Sequence, residues 1–117
     1  MELISRPRKL TEKGFVERLQ NGYILYAHYK MKKDGKDIER WYDLIRRSKT
    51  SYNLMIEEFN VADYDGFFEG KRDECHRFKT SAEALTFLKE KENFNISEWG
   101  YGKRSAMKRK FVDDTPK

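Results

Sequence analysis

The stretch from Tyr23 to Lys49 constrains the fold most, because it has the pattern of two β-strands joined by a tight turn. Aromatic and β-branched residues lie on both sides of the dipeptide Asp34-Gly35. This dipeptide favours a two-residue hairpin turn, since glycine adopts the positive φ angle that such a turn requires. We therefore predict antiparallel strands at roughly 23–32 and 37–47.

The preceding stretch, Leu10–Gln20, admits two interpretations. Thr11 is a typical N-cap and would start a short helix that ends near Gly22. The dipeptide Asn21-Gly22 is also a strong hairpin signal, and Gly14 weakens a helix of this length. We prefer a strand at roughly 15–20, which makes the first three strands a meander.

The hydrophobic period changes after Lys49. The spacing of an amphipathic helix is shared by Tyr52, Met55, Ile56 and Phe59. Ser51 stands at the position of an N-cap, so we predict a helix here. Alternation through Tyr52, Leu54 and Ile56 is the competing pattern and would indicate a strand.

The next segments continue the domain. Arg72–Lys79 is predicted to be a strand with Cys75 and Phe78 buried. Thr80-Ser81-Ala82-Glu83 matches the capping box and starts a helix at roughly 81–92. The loop Asn93–Gly102 is expected to close the core with three apolar side chains, Phe94, Ile96 and Trp99.

These elements predict an α+β fold in which one or two helices pack on one face of an antiparallel sheet of three to four strands. A single domain is expected at 1–102, with a basic N-terminal arm. Residues 103–117 have too few apolar side chains to bury anything alone, so a basic mobile tail is expected there.

Positive charge is concentrated at the two ends of the chain. The sequence has 25 Lys and Arg and 20 Asp and Glu, a net charge of +5. Residues 1–13 contribute four bases and two acids, and residues 103–117 contribute six bases and two acids. The remaining 15 bases and 16 acids give the body a charge of −1, so any polyanion should bind near the ends or the basic hairpin.

Catalytic and metal-binding patterns are weak. Cys75 and His76 are adjacent, so on a strand their side chains point to opposite faces, and one cysteine with two histidines is too few for a zinc site. Asp63 and Asp65 resemble the start of a calcium loop only in part, and a weak divalent-ion site near them is left open. We expect no enzymatic activity, no metal and no cofactor.

Neither a signal peptide nor a membrane-spanning segment is evident in the sequence. The single cysteine, Cys75, is consistent with a reducing compartment. A soluble cytoplasmic protein is therefore expected, with no membrane partner.

Alternation on the first hairpin strand predicts one core face and one mixed face. The core face carries Leu25, Ala27, Tyr29 and Met31, and the other carries Ile24, Tyr26, His28, Lys30 and Lys32. On the partner strand we predict that Arg40, Tyr42 and Arg46 extend the mixed face, whereas Trp41 and Ile45 point toward the core. Rings interleaved with bases are typical of surfaces that bind single-stranded nucleic acid.

The leading hypothesis is a small non-enzymatic protein that binds RNA or single-stranded DNA with the hairpin face and the basic termini. The candidate binding residues are Arg6, Arg8, Lys9, Tyr26, His28, Lys30, Lys32, Lys33, Arg40, Tyr42, Arg46, Arg47, Lys103, Arg104, Lys108, Arg109 and Lys110. On an ordinary solvated sheet, however, tyrosines and lysines have no such role.

The alternative hypothesis is a protein-interaction module that regulates or inhibits a larger partner, as accessory proteins of phages and mobile elements do. It is based on the acidic segment Glu57–Gly70, in which Tyr64, Phe67 and Phe68 are candidate anchors. Between 50 and 70 the sequence has five acids and no base.

Overall fold

The computed structural model describes residues 1–61 and 70–103 of the chain. Its elements are β1 (Glu2–Leu3), α1 (Glu12–Gln20), β2 (Ile24–Lys33), β3 (Lys36–Ser48), β4 (Ser51–Asn60), β5 (Gly70–Phe78), α2 (Ser81–Lys91), a short 3₁₀ helix (Ile96–Glu98) and β6 (Gly100–Gly102). The predicted α+β class with an antiparallel sheet is confirmed. The sheet is larger than predicted, since five strands follow one another across it and β6 adds a sixth.

Strands β2 to β5 form a meander, in which each strand pairs with the next one along the chain. Both short terminal strands pair with the outer edge of β2. β1 pairs Leu3 with Tyr29, and β6 pairs Gly102 with Ile24. The two ends of the described chain therefore lie along the same sheet edge.

The predicted hairpin is confirmed. Asp34 and Gly35 have φ angles of 52° and 77°, so both residues of the turn adopt the left-handed conformation that a two-residue hairpin requires. The turn brings Lys33 opposite Lys36, and the pairing continues to Leu25 opposite Leu44.

The prediction of which β3 side chains face the core was wrong. The hairpin register places Tyr42 opposite Ala27 and Arg40 opposite Tyr29. Directly opposed residues share a face of the sheet, so Tyr42 lies in the core with 3% of its surface exposed. Trp41 belongs to the opposite face, where its ring stacks on His28 with 3.6 Å between the ring centroids.

The predicted strand at 15–20 was also wrong, because this segment forms α1. The Thr11 side chain accepts a hydrogen bond of 3.0 Å from the Gly14 backbone N–H, which is the N-cap interaction considered above. At the other end, Gly22 has a φ of 87°, and the N–H groups of Gly22 and Tyr23 donate to the carbonyls of Leu19 and Arg18. These bonds form a Schellman motif, so Asn21-Gly22 ends a helix here.

The predicted helix after Ser51 was wrong as well. Residues 51–60 form β4, a central strand between β3 and β5. Leu54 and Ile56 are fully buried in the helix-covered core, and Phe59 is buried on the opposite face. A strand buried on both faces loses simple alternation, so its apolar residues fell by chance at helical spacing.

The later elements follow the prediction more closely. β5 covers most of the predicted strand, although Cys75, which lies opposite Met55 on the face away from the helices, is exposed. α2 begins with the predicted Thr80 cap, but Glu83 binds the N–H of Lys79, one residue before the position that the capping box predicts. The Thr80 hydroxyl accepts a hydrogen bond of 3.1 Å from the Glu83 N–H, and the Glu83 carboxylate accepts one of 3.0 Å from the Lys79 N–H.

The core lies between the sheet and the two helices. The helices contribute Phe15 and Leu19 from α1 and Leu85 and Leu88 from α2. The segment after α2 closes one end of this core as predicted, since Trp99 is 2% exposed and Phe94 packs against Phe15 with a centroid distance of 5.4 Å. Strand β6 within this segment was not predicted.

Two predicted regions lie outside the described residues. They are the loop Asp63–Gly70, except for Gly70, and the tail beyond Lys103. Within residues 1–61 and 70–103, no helix has both the length and the apolar character needed to cross a membrane.

Candidate nucleic-acid interface

The N-terminal arm and strand β6 meet at the outer edge of β2. The backbone N–H groups of Ile4 and Ser5 donate to the His28 carbonyl at 2.9 and 3.2 Å, which fixes the start of the arm. Farther along, the Arg8 N–H donates to the Trp99 carbonyl at 3.1 Å. The basic residues of the arm are thereby held next to the segment that leads to Lys103.

A tyrosine of β6 lies at the centre of this meeting point. The guanidinium carbon of Arg18, from α1, is 4.3 Å from the centroid of the Tyr101 ring, and that of Arg8 is 5.1 Å away. Tyr23 packs edge-on against the same ring at 5.7 Å. We call this surface the basic edge, and it consists of Arg6, Arg8, Lys9, Arg18, Tyr23, Tyr101 and Lys103.

The basic edge is accessible and its cations are not neutralised by nearby acids. Arg6, Arg8, Lys9 and Lys103 are exposed, and Arg18 is half-buried. Among the residues that the structure describes, none of these cations forms an ion pair with a carboxylate. Hydrogen bonding from Arg18 lowers the pKa of the Tyr101 hydroxyl, as expected beside two guanidinium groups.

The hairpin cations that the sequence put forward are in a different situation. Lys33 and Arg40 both bind the carboxylate of Glu58, at 2.9 and 2.7 Å. Lys32 lies 3.8 Å from Asp37, and Arg46 donates to the backbone carbonyl of Ser48 at 2.9 Å. These cations therefore already have partners within the protein, whereas the exposed Lys30 forms no ion pair among the described residues.

The rings proposed for stacking are also less accessible than expected. Tyr42 is buried in the core and was wrongly placed on the outer face. His28 stacks on Trp41 and lies 2.8 Å from a carboxylate oxygen of Glu39. Tyr26 is half-buried on the face away from the helices, as the alternation predicted, and Arg47 is also half-buried.

Sequence reasoning missed three members of the basic edge. Arg18 was assigned to a strand instead of a helix, and Tyr101 was placed in a packed loop. Tyr23 was treated only as the start of a hairpin. The sequence does show Tyr101 between two glycines, Gly100 and Gly102. However, only the pairing of β6 with β2 brings Tyr101 beside the N-terminal arm.

Several candidate residues lie outside the described parts of the chain. They are Arg104, Lys108, Arg109 and Lys110 of the tail and Tyr64, Phe67 and Phe68 of the acidic segment. The hypotheses that depend on them therefore stay predictions.

The comparisons with known proteins add no identification. No family model, curated protein or solved structure matches this chain. The chemistry of the described residues is therefore the only guide to function.

No metal centre is evident within residues 1–61 and 70–103, where no group of three or more His, Cys, Asp or Glu side chains is placed to hold an ion. Each histidine lies next to a glutamate: His28 beside Glu39, and His76 2.7 Å from Glu74. His76 also packs against the ring of Phe87 with a centroid distance of 4.5 Å. These contacts tie both imidazoles to neighbours within the fold.

Proposed function

We propose that this protein is a small non-enzymatic nucleic-acid-binding protein that holds RNA or single-stranded DNA at the basic edge. The observation that carries the proposal is the position of Tyr101 beside the guanidinium groups of Arg8 and Arg18, 5.1 and 4.3 Å from its ring centroid. Cations beside aromatic rings are the combination that single strands require, because phosphates need charge and unpaired bases need stacking surfaces.

The shape of the basic edge supports a single strand as the ligand. The exposed cations of the arm, Arg6, Arg8 and Lys9, follow one another along the chain and suit a row of phosphates. Tyr23 and Tyr101 are partly exposed beside them. Beyond Lys103 the sequence has five more cations, among them Arg104, Lys108, Arg109 and Lys110, which add to the electrostatic attraction.

Fluorescence polarisation tests this proposal directly. Labelled 20-nucleotide RNA, single-stranded DNA and duplex DNA of mixed sequence are titrated with the full chain at low and moderate salt. We expect dissociation constants below about 100 μM at low salt, the range where non-specific binding normally lies, and a steep loss with added salt.

A pair of matched variants assigns the binding to its surface. The double variant R8Q/R18Q removes two cations from the basic edge, and K32Q/K36Q removes two exposed lysines near the hairpin turn. We expect R8Q/R18Q to reduce the slope of log affinity against log salt by about 1.4, as for two phosphate contacts on a single strand. K32Q/K36Q should leave the slope unchanged. The opposite ranking would support the hairpin surface, and no binding by the unmodified protein would refute the proposal.

The protein-interaction hypothesis remains the alternative. Its candidate anchors, Tyr64, Phe67 and Phe68, lie outside the described residues, so no contact in the structure favours it. Capture of a specific protein from nuclease-treated lysate, combined with failure of the polarisation assay, would support it.

A further inference from the structure

A second surface of the molecule, away from the basic edge, is concave. On the helix side of the sheet, beyond the C-terminal end of α2, lies a cleft of about 710 Å³. Its lining includes Tyr29, Arg40, Tyr42, Glu92, Phe94 and Glu98. This volume lies within the range of ordinary ligand pockets, and none of these residues belongs to the basic edge.

Arg40 supplies a fixed cation with donors to spare. Its Nε donates to Glu58 at 2.7 Å, and the Glu58 side chain is only 2% exposed, so a buried carboxylate holds the guanidinium group in place. Its Nη1 contacts only the Tyr42 hydroxyl, at 3.3 Å, and the sulfur of Met1, at 3.9 Å. Its Nη2 has no hydrogen-bond partner among the described residues. A thioether is a weak acceptor and Met1 is 71% exposed, so a carboxylate can displace it readily.

Glu98 supplies an anion on the other side of Tyr29. Its Oε1 accepts a hydrogen bond of 2.8 Å from the Tyr29 hydroxyl, while Oε2 has no partner in the described part of the chain. Tyr29 lies directly opposite Arg40 in the hairpin. Tyr29 therefore lies beside both charges, bound to Glu98 through its hydroxyl and opposite Arg40 in the hairpin, and all three residues line one cleft.

Of the other charged groups that line the cleft, Glu92 and Arg72 are satisfied internally, whereas Lys91 is exposed and forms no ion pair among the described residues. Glu92 accepts hydrogen bonds from Arg72 through both of its oxygens, each at 3.0 Å, and a third from the Tyr42 hydroxyl. Arg72 is in turn bound by Glu74 at 2.7 and 3.1 Å. The C-terminal end of α2 also borders the cleft, where the helix dipole favours a positive group such as Lys91 of its last turn.

We propose that this cleft binds a small zwitterion, with its carboxylate on Arg40 and its ammonium group on Glu98. The ligand class is an α-amino acid or a short peptide, since both present these two charges. Phe94 in the lining gives an apolar surface for the rest of the ligand. A ligand that carries only a carboxylate leaves Glu98 without a partner, and one that carries only an ammonium group leaves Arg40 without one. A compound that carries both charges should therefore bind best.

Nuclear magnetic resonance of the full chain tests this inference with four probes. L-phenylalanine carries both charges, 3-phenylpropionate only the carboxylate, and 2-phenylethylamine only the ammonium group. The dipeptide Phe-Gly separates the two charges and distinguishes a peptide from a free amino acid. We expect L-phenylalanine or Phe-Gly to shift backbone amides near residues 40–42 and 92–98, with half-saturation at about 1 mM. The single-charge compounds should bind at least about tenfold more weakly.

Two variants separate the roles of the two charges. E98Q keeps an oxygen that can accept from Tyr29, so the fold is expected to persist, and R40Q removes the carboxylate partner. E98Q should weaken L-phenylalanine about tenfold without weakening 3-phenylpropionate, and R40Q should weaken both without weakening 2-phenylethylamine. K32Q serves as the control, because Lys32 does not line the cleft.

The outcomes are decisive in either direction. If R40Q fails to fold, E98Q alone decides the question, because it should weaken L-phenylalanine and leave 3-phenylpropionate unchanged. Absence of shifts near the cleft for all four probes at about 10 mM would overturn the inference, as would an equal effect of E98Q on every probe. Because the nucleic-acid proposal concerns a separate surface, R8Q/R18Q should bind the same zwitterion normally, so the two proposals can fail independently.

Discussion

Arg40 and Glu58 form an ion pair inside the sheet, with 2.7 Å between Arg40 Nε and Glu58 Oε2. They lie opposite each other on β3 and β4, and Lys33 binds the second oxygen of Glu58 at 2.9 Å. Burial opposes the ionisation of Glu58, but the hydrogen bonds from Lys33 and Arg40 hold its pKa below the ordinary value. A carboxylate in such a position depends strongly on its partners.

Replacing Arg40 by Met should therefore destabilise the protein by about 2–3 kcal/mol, somewhat less than for an isolated buried pair because Lys33 remains. The double variant R40M/E58M should be less destabilised than R40M alone, since it leaves no buried carboxylate without Arg40. Urea unfolding monitored by circular dichroism measures both. A double variant that is as unstable as R40M, or less stable, would contradict this account.

Stability should fall in acid partly because of Glu74. The hydrogen bond from Arg72, with a smaller one from His76, lowers the pKa of Glu74 from 4.5 to about 2. A carboxyl group with a depressed folded-state pKa stabilises the fold above its unfolded pKa, and this stabilisation is lost as the pH falls from about 4.5 toward 2.

The variant E74Q isolates this contribution. Because the Glu74 side chain is 36% exposed, solvent screening reduces the effect, and we expect it to be about 1 kcal/mol. Between pH 5.0 and 2.5, E74Q should lose less stability than the unmodified protein by that amount. The exposed residue Glu2 provides the control, since E2Q should lose as much as the unmodified protein. Equal acid sensitivity of E74Q and E2Q would rule out the interpretation.

The end of α1 depends on the left-handed conformation of Gly22. Its φ of 87° strains any residue with a Cβ atom, so Gly22→Ala should cost about 1–2 kcal/mol. Lys13→Ala is the control, since Lys13 is exposed in the same helix and its replacement should change stability by less than about 0.5 kcal/mol. Thermal unfolding compares the two, and similar melting temperatures would argue against the Schellman motif as a stabilising element.

The ring of Tyr101 gives a prediction for the proposed function. If this ring contacts a base, Tyr101→Ala should weaken binding of single-stranded RNA or DNA by about 1–3 kcal/mol, whereas Tyr101→Phe should retain most of the affinity because it keeps the stacking surface. Polarisation titrations at fixed low salt provide the measurement. Equal loss in both variants would instead assign the role to the hydroxyl group.

Local signals in the sequence predicted the elements whose ends carry specific turn or cap chemistry. Asp34-Gly35 located the β2–β3 hairpin, and Thr80 with Glu83 located the start of α2. The two-residue turn also fixes which residues of β2 and β3 lie opposite each other. Because it pairs Lys33 with Lys36, Ala27 lies opposite Tyr42. Counting back from the turn would have placed Tyr42 in the core, so this error was avoidable.

Other features required the three-dimensional fold. The dipeptide Asn21-Gly22 suits a hairpin turn and a helix end equally well, because both use a glycine with positive φ. What distinguishes them is the burial of Phe15 and Leu19, four residues apart, against Trp99 and the sheet. For β4, Leu54 and Phe59 are buried on opposite faces, and no pattern along the chain indicates that both faces are covered.

The sequence alone determined the α+β class, the central hairpin, the second helix and the concentration of positive charge at both ends, because these depend on neighbouring residues or on composition. The tertiary structure decided where those charges meet. Arg8, Arg18 and Tyr101 are far apart in the chain and come together only because β6 pairs with β2 beside the N-terminal arm. Arg40 and Glu98 likewise line one cleft only in the folded chain, where Tyr29 pairs across the hairpin with Arg40 and donates to Glu98, and such long-range pairing leaves little trace in the local sequence.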